Sequence, residues 1–176
     1  MQTCVRARTW SILALGLVLA SASPAARASA QEGGIAVGAQ APSVATLETL
    51  SGAPFSLADV VGKRPVLIEF WATWCPLCKE LEPTLQQARE RYGDRVVFIG
   101  IGVPNNQTAE RQRQFVEERK MSGTFLFDRT SAAIKAFQVP HTSYVVVLDK
   151  SGKVVYTGVG GTQDIEGAIG KAFASP

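Results

Sequence analysis

Apolar and polar positions fall along this chain in runs whose length and spacing separate strands from helices. "VLIEF" (Val66 to Phe70) and "VVFIGIGV" (Val96 to Val103) are short apolar stretches that predict buried central strands. Between them, Leu77, Leu81, Leu85 and Ala88 recur at helical spacing, so Cys75 to Tyr92 reads as a helix that stops at Gly93. "PNNQTAERQRQFVEERK" predicts a turn and a charged helix capped by Thr108, with Glu110 suiting its first turn and its charges facing water. "TFLFD" is a short strand and "TSAAIKAF" a short helix. "SYVVVLD" and "VVYTGVG" are strands joined by Lys150-Ser151-Gly152-Lys153 as a hairpin, and Asp164 starts a last helix. Upstream, two extended pieces around Ser51-Gly52 precede a helical turn near Leu57 to Val61. Strands alternating with helices, then a hairpin and a closing helix, predict an α/β sandwich about a mixed sheet.

The first thirty residues follow a different pattern. Arg6 and Arg8, an apolar run from Trp10 to Ala22, and the small-residue ending Ala28-Ser29-Ala30 form the layout of a secretory signal peptide, residues 1–30. The apolar run is shorter than the about 20 residues of a transmembrane helix. The alternative is an uncleaved anchor, the one case in which the protein would be held at a membrane. Residues 31–42 then read as a flexible lead-in, and 43–176 as one domain.

Charge changes meaning once the leader is set aside. The chain carries 18 Lys and Arg against 15 Asp and Glu, but Arg6, Arg8 and Arg27 lie in the leader, which has no acid. The remainder is balanced, with no basic stripe, so a nucleic-acid partner is excluded. Cys4 precedes the apolar run, which leaves two cysteines and one histidine in the exported part. Export is where disulfides persist.

Those two cysteines stand in "EFWATWCPLCKELEP" (Glu69 to Pro83). As a structural staple Cys75–Cys78 would constrain little, because it closes a very short loop. Cys75 lies where a strand gives way to a helix, with Pro76 at the first helical position. Helix N–H groups and the positive end of the helix dipole favour its thiolate. Cys78 follows one turn later, expected to be the more buried of the two. An exposed attacking sulfur with a sheltered one to resolve the mixed disulfide is the arrangement this spacing predicts. Glu69 is an acid inside a buried strand, which is costly without a function or partner. It is expected beneath the cysteines as a proton relay for Cys78; a place at a sheet edge is the alternative. Trp71 and Trp74 either shield the site or pack the core, and Pro83 should kink the helix.

This segment resembles the active site of thioredoxins: acid, Phe, Trp, Ala, one variable residue, Trp, Cys-x-x-Cys, Lys, and a Pro five places after the second cysteine. The wider chain is similar to the extracytoplasmic TlpA-like, redoxin branch. "VGAQAPSVATLETLSGAPFSLADVVGKRPVLIEFWATWC" matches its opening hairpin, "VVFIGIGV" to "TFLFD" its insertion, and "FQVPHTSYVVVLDKSGKVVYTGVGG" its C-terminal half. The resemblance implies a thioredoxin-like three-layer α/β sandwich with an N-terminal hairpin extension. It implies Cys75 as nucleophile, Cys78 as resolving thiol and Glu69 as the buried acid, forming a redox disulfide that needs no cofactor. The partners it implies are disulfide-containing proteins in the periplasm or elsewhere outside the cytoplasm, with electrons drawn from a membrane donor.

One position departs from that pattern. The family's cis-proline falls on Ser143, while the nearest proline, Pro140, is three residues earlier beside His141. A cis bond before a non-proline costs about 3–4 kcal/mol, so a trans Thr142–Ser143 peptide is expected, with Ser143 rather than Pro140 filling the place. Trp74, Pro76, Thr142 and Ser143 are then the expected substrate-docking residues. Two other functions remain open at this point. One is a peroxiredoxin-like thiol peroxidase, with Thr73 two residues before Cys75. The other is a copper-binding redox chaperone in which His141 joins both thiolates around a soft metal.

Overall fold

The computed structural model describes Met1 and residues 33–175, so the remainder of the expected leader lies outside the described residues. From Gly33 onward the elements run β1 (Leu47–Thr49), β2 (Pro54–Phe55), a 3-10 turn (Leu57–Asp59), β3 (Val66–Trp71), α1 (Pro76–Tyr92), a second 3-10 turn (Gly93–Arg95), β4 (Val97–Gly102), α2 (Ala109–Glu118), β5 (Thr124–Phe127), α3 (Ala132–Ala136), β6 (Tyr144–Leu148), β7 (Val154–Val159) and α4 (Ile165–Ala174).

The seven strands form one sheet in the order β2-β1-β5-β4-β3-β6-β7. β3 pairs parallel with β4 and antiparallel with β6, and β4 pairs parallel with β5. β1 joins β5 antiparallel and β2 closes the expected hairpin, with Leu47 opposite Phe55. The sheet is therefore mixed, and β3, which leads into Cys75, lies in its interior between β4 and β6.

Alternation along β3 divides the interior. Val66, Ile68 and Phe70 pack with Ala133 and Phe137 around α3. Leu67 faces the other way, onto Leu81, Leu85 and Ala88 of α1 and Ile165, Ala168 and Ile169 of α4. Trp71, on that same face, meets Phe115 of α2 and Phe125 of β5, with ring centroids 5.8 and 5.6 Å away. Gly100 makes this possible: a Cβ there would sit 2.7 Å from Phe125 and 3.1 Å from the indole nitrogen of Trp71. Helices on both faces of the sheet give the three layers expected.

Local signals account for the helix ends. α1 starts at Pro76 after Cys75 and ends at Gly93, whose φ of 49° suits glycine. α2 is capped by the Thr108 hydroxyl, which accepts from the Arg111 N–H, and α4 by the Asp164 carboxylate, which accepts from the Gly167 N–H. One expectation is corrected. Residues 31–42 are expected as a flexible lead-in, yet in the described part, 33–42, Gly38 and Ala41 donate to the carbonyls of Val154 and Gly152, and Val154 donates to Ala39. Ile35 is buried in the core. Hydrogen bonding to the start of β7 and one buried side chain tie this segment down, despite its small, glycine-rich composition.

Candidate active site

Cys75 ends the loop after β3 in an extended conformation and serves as the N-cap of α1. Its Sγ accepts from the Cys78 N–H at 3.1 Å, so the sulfur takes the capping place more often held by an oxygen. Pro76, at the first helical position, loses no bond by lacking an N–H. Cys75 and Cys78 form a disulfide with their Cα atoms 5.3 Å apart. When that bond opens, a Cys75 thiolate faces the helix N–H groups and the positive end of the dipole.

Both sulfur residues are buried in the disulfide form, so the exposed attacking sulfur expected at Cys75 is not seen in it. Cys75 is 2% exposed and Cys78 5%. Both cysteines belong to a buried cluster with Trp71, Ala72, Val103 and Phe125. The exposed surface here belongs instead to Trp74 (41%) and Leu77 (43%), with Pro76 exposed between them. Trp74 is held by its indole N–H, which donates to the Asn105 carbonyl at 2.8 Å. Trp71 is a core residue.

Glu69 lies opposite Gly100 on β4 and Val145 on β6, so it is central in the sheet and not at an edge. It is 3% exposed, and its Oε1 has no hydrogen-bond partner among the described residues. Burial pushes its carboxyl up to about 8; the Glu82 carboxylate pushes the same way and the Arg89 guanidinium pulls back. Glu82 and Arg89 pair at 2.6 Å, both largely buried. Glu69, Cys78 and Glu82 line one cavity of about 420 Å³ between α1 and α2, with Pro83 in its wall. Cys75 does not line it.

The loop at Ser143 is ordered by bonds that its sequence did not announce. Among the described residues there is no cis peptide, so Thr142–Ser143 is trans as expected. Ser143 is buried in a left-handed conformation, φ 62°. Its N–H donates to the Phe70 carbonyl at 2.8 Å and its hydroxyl to the Gly160 carbonyl at 2.8 Å. The Gln163 amide donates to the carbonyls of Ser143 and Gly160, at 3.0 and 2.7 Å. A second glutamine works on the other side: Gln107 accepts from the Thr73 N–H at 2.9 Å and donates to the Val103 carbonyl, fixing the approach to Cys75. Gln107, Gln163, Glu82 and Arg89 were not singled out from the sequence. Glu82 and Arg89 carried a readable signal, since with Cys78 and Leu85 they recur every three or four residues along one face of α1.

His141 is exposed, and no three His, Cys, Asp or Glu residues among those described come together as a metal-ligand set. Among the described residues, then, His141 and the two cysteines do not assemble the soft-metal site of the copper-binding alternative.

A thioredoxin-like sheet with a Cys-x-x-Cys disulfide capping the helix after its central strand defines a class of dithiol proteins, and the comparisons agree. Residues 36–170 match the model of the Redoxin family, and the chain belongs to that family. It is 33% identical over 129 residues to the thioredoxin-like protein YneN of Bacillus subtilis, covering 72% of this chain and 73% of that one. It is 28% identical to the thiol-disulfide oxidoreductase ResA of Geobacillus kaustophilus, covering 75% of each. Among solved structures it is similar to a secreted Mycobacterium tuberculosis disulfide oxidoreductase homologous to the Escherichia coli protein DsbE. That match has a TM-score of 0.61 and 28% identity, and covers 77% of this chain and 96% of the other.

Proposed function

We propose that this protein, a thiol–disulfide oxidoreductase of the thioredoxin type, reduces disulfides of partner proteins outside the cytoplasm. The observation that carries the reading is the Cys75–Cys78 disulfide at the head of α1, with the Cys78 N–H already directed at the Cys75 sulfur. In the reduced protein the Cys75 thiolate attacks one sulfur of a partner disulfide, and the partner's other sulfur leaves with the electron pair. Cys78 then attacks Cys75 in the mixed disulfide, releasing the partner's second thiol and restoring the disulfide seen here. Glu69 is suited to take the proton of Cys78 as that thiol becomes a nucleophile, because the two share a cavity and its carboxyl sits near neutrality.

Buried as it is in the disulfide form, Cys75 must turn outward once the bond opens. Trp74, Pro76 and Leu77 form the exposed rim past which it would move, and Thr142 and Ser143 are the neighbouring backbone for an extended partner segment. The N-terminal signal pattern and the secreted relative support an extracytoplasmic location, and a membrane electron donor fits that setting.

A glutathione redox titration of the purified protein tests the direction of electron flow. A midpoint below about −220 mV is expected; one near about −120 mV would make the protein an oxidant. Cys78→Ser should accumulate protein partners as mixed disulfides on Cys75, and an empty trap would count against exchange with proteins.

A further inference from the structure

The cavity between α1 and α2 holds more than the exchange at Cys75 uses. Its volume, about 420 Å³, lies in the range of small-molecule sites. Three buried polar atoms in its lining residues have no hydrogen-bond partner among the described residues: Glu69 Oε1, Trp71 Nε1 and Glu82 Oε2. In its neutral form Glu69 offers an O–H and Trp71 an N–H, and both call for an acceptor such as a carboxylate or amide oxygen. The exposed residues lining the cavity include three cations, Lys79, Arg119 and Lys120. None of them forms an ion pair with a carboxylate among the described residues; Lys79 and Arg119 lie over the Phe115 ring, at 6.0 and 4.5 Å from its centroid. The acid in the wall, Glu82, is already neutralised by Arg89 at 2.6 Å. Of the two redox sulfur residues only Cys78 lines this space, and Trp74 and Leu77 of the partner-docking rim do not.

We propose that this cavity admits a low-molecular-weight thiol bearing carboxylates, which attacks Cys78 and recharges the couple by a route separate from the protein-docking rim. The inference rests on the reading of Cys75 and Cys78 as a redox couple. In the first step the small thiolate bonds to Cys78 Sγ, the Cys75–Cys78 bond breaks, and the electron pair leaves on Cys75 Sγ, facing the Cys78 N–H. In the second step another small thiolate attacks the small-molecule sulfur of that mixed disulfide. The low-molecular-weight disulfide departs, and the electron pair stays on Cys78, which takes a proton. Two thiols give up two electrons to the cysteine pair; of their two protons one ends on Cys78 and the other is released to solvent, because Cys75 stays a thiolate. The carboxylates select the thiol through Lys79, Arg119 and Lys120.

The test uses glutathione, which is anionic, and β-mercaptoethanol, which is neutral, as reductants of the purified oxidised protein. Iodoacetamide in the mixture captures the first intermediate, and peptide mapping locates the adduct. Glutathione on Cys78 with alkylated Cys75 is expected; glutathione on Cys75 overturns the proposal. Electrostatic attraction of this kind raises association rates by roughly 10-fold or more, so Arg119→Glu with Lys120→Glu should lower the glutathione to β-mercaptoethanol rate ratio about tenfold. A ratio that does not move overturns the anionic selection even if the adduct is on Cys78. A folded protein whose disulfide resists both thiols overturns the redox couple itself, which distinguishes the two failures.

Discussion

Replacing Glu69 by glutamine removes one titration and almost nothing else in size or shape. In the folded protein the carboxyl is raised to about 8, first by burial and then by the Glu82 carboxylate, from 4.5 in the absence of these effects. The native state therefore keeps a proton that the unfolded chain releases between those two values. For an acid with a raised folded value, stability is greatest below the unfolded value and is lost as pH climbs toward the folded one. At about 1.36 kcal/mol per unit, this group alone should cost the fold about 3–4 kcal/mol between about pH 5 and about pH 8. The assay is urea unfolding of the oxidised protein, where the cysteines do not titrate, across that range for the natural protein and Glu69→Gln. Because both carry every other titrating group, the difference between the two curves isolates residue 69. It should grow by about 3–4 kcal/mol in favour of the glutamine variant as pH rises. Parallel curves would mean that Glu69 is hydrated or paired with a cation, and the proton-relay assignment would go with it.

Other consequences are equally direct. Arg89→Met removes the partner of Glu82, which is 20% exposed, and should destabilise the fold by about 2–3 kcal/mol, somewhat under the cost of breaking a fully buried pair, as read by urea unfolding. Ser143→Pro, which would place at this position the proline that the family resemblance implies, should instead cost about 3 kcal/mol or more. It forces φ from 62° to a negative value and deletes the N–H bonded to Phe70, so an unchanged unfolding midpoint would refute the left-handed geometry at this site. Leu85→Ala, on α1 and fully buried in the cluster with α4, should cost about 2–5 kcal/mol and leave the reduction potential within a few millivolts.

How far the sequence carried these conclusions depended on whether a signal was local. The strand at Val66, the helix from Pro76, the caps at Thr108 and Asp164, and the closing hairpin were all legible, because apolar spacing and cap chemistry act within a few residues. Glu69 was legible as an anomaly: an acid within "VLIEF" has few inexpensive places, and a central strand beside Cys78 is where the fold puts it. The depth of Cys75 was not legible. Helix-capping chemistry favours an activated sulfur there, but burial depends on Val103 and Phe125, which arrive from distant strands. The same holds for Gln107 and Gln163, whose amides bond carbonyls brought near only by tertiary packing. Residues 33–42 misled for the opposite reason, since their composition marks a linker while their backbone bonds to β7.

Disulfide exchange by this protein turns on whether the head of α1 makes Cys75 an activated thiolate once the disulfide opens. Alkylation of the reduced protein by iodoacetamide as a function of pH, with the modified residue identified by peptide mapping, measures this directly. Cys75 should be alkylated first, with a titration midpoint at about 7 or below, against about 8.5 for a free cysteine. A midpoint at the free-cysteine value, or a Cys75 that stays unmodified while Cys78 reacts, would contradict it.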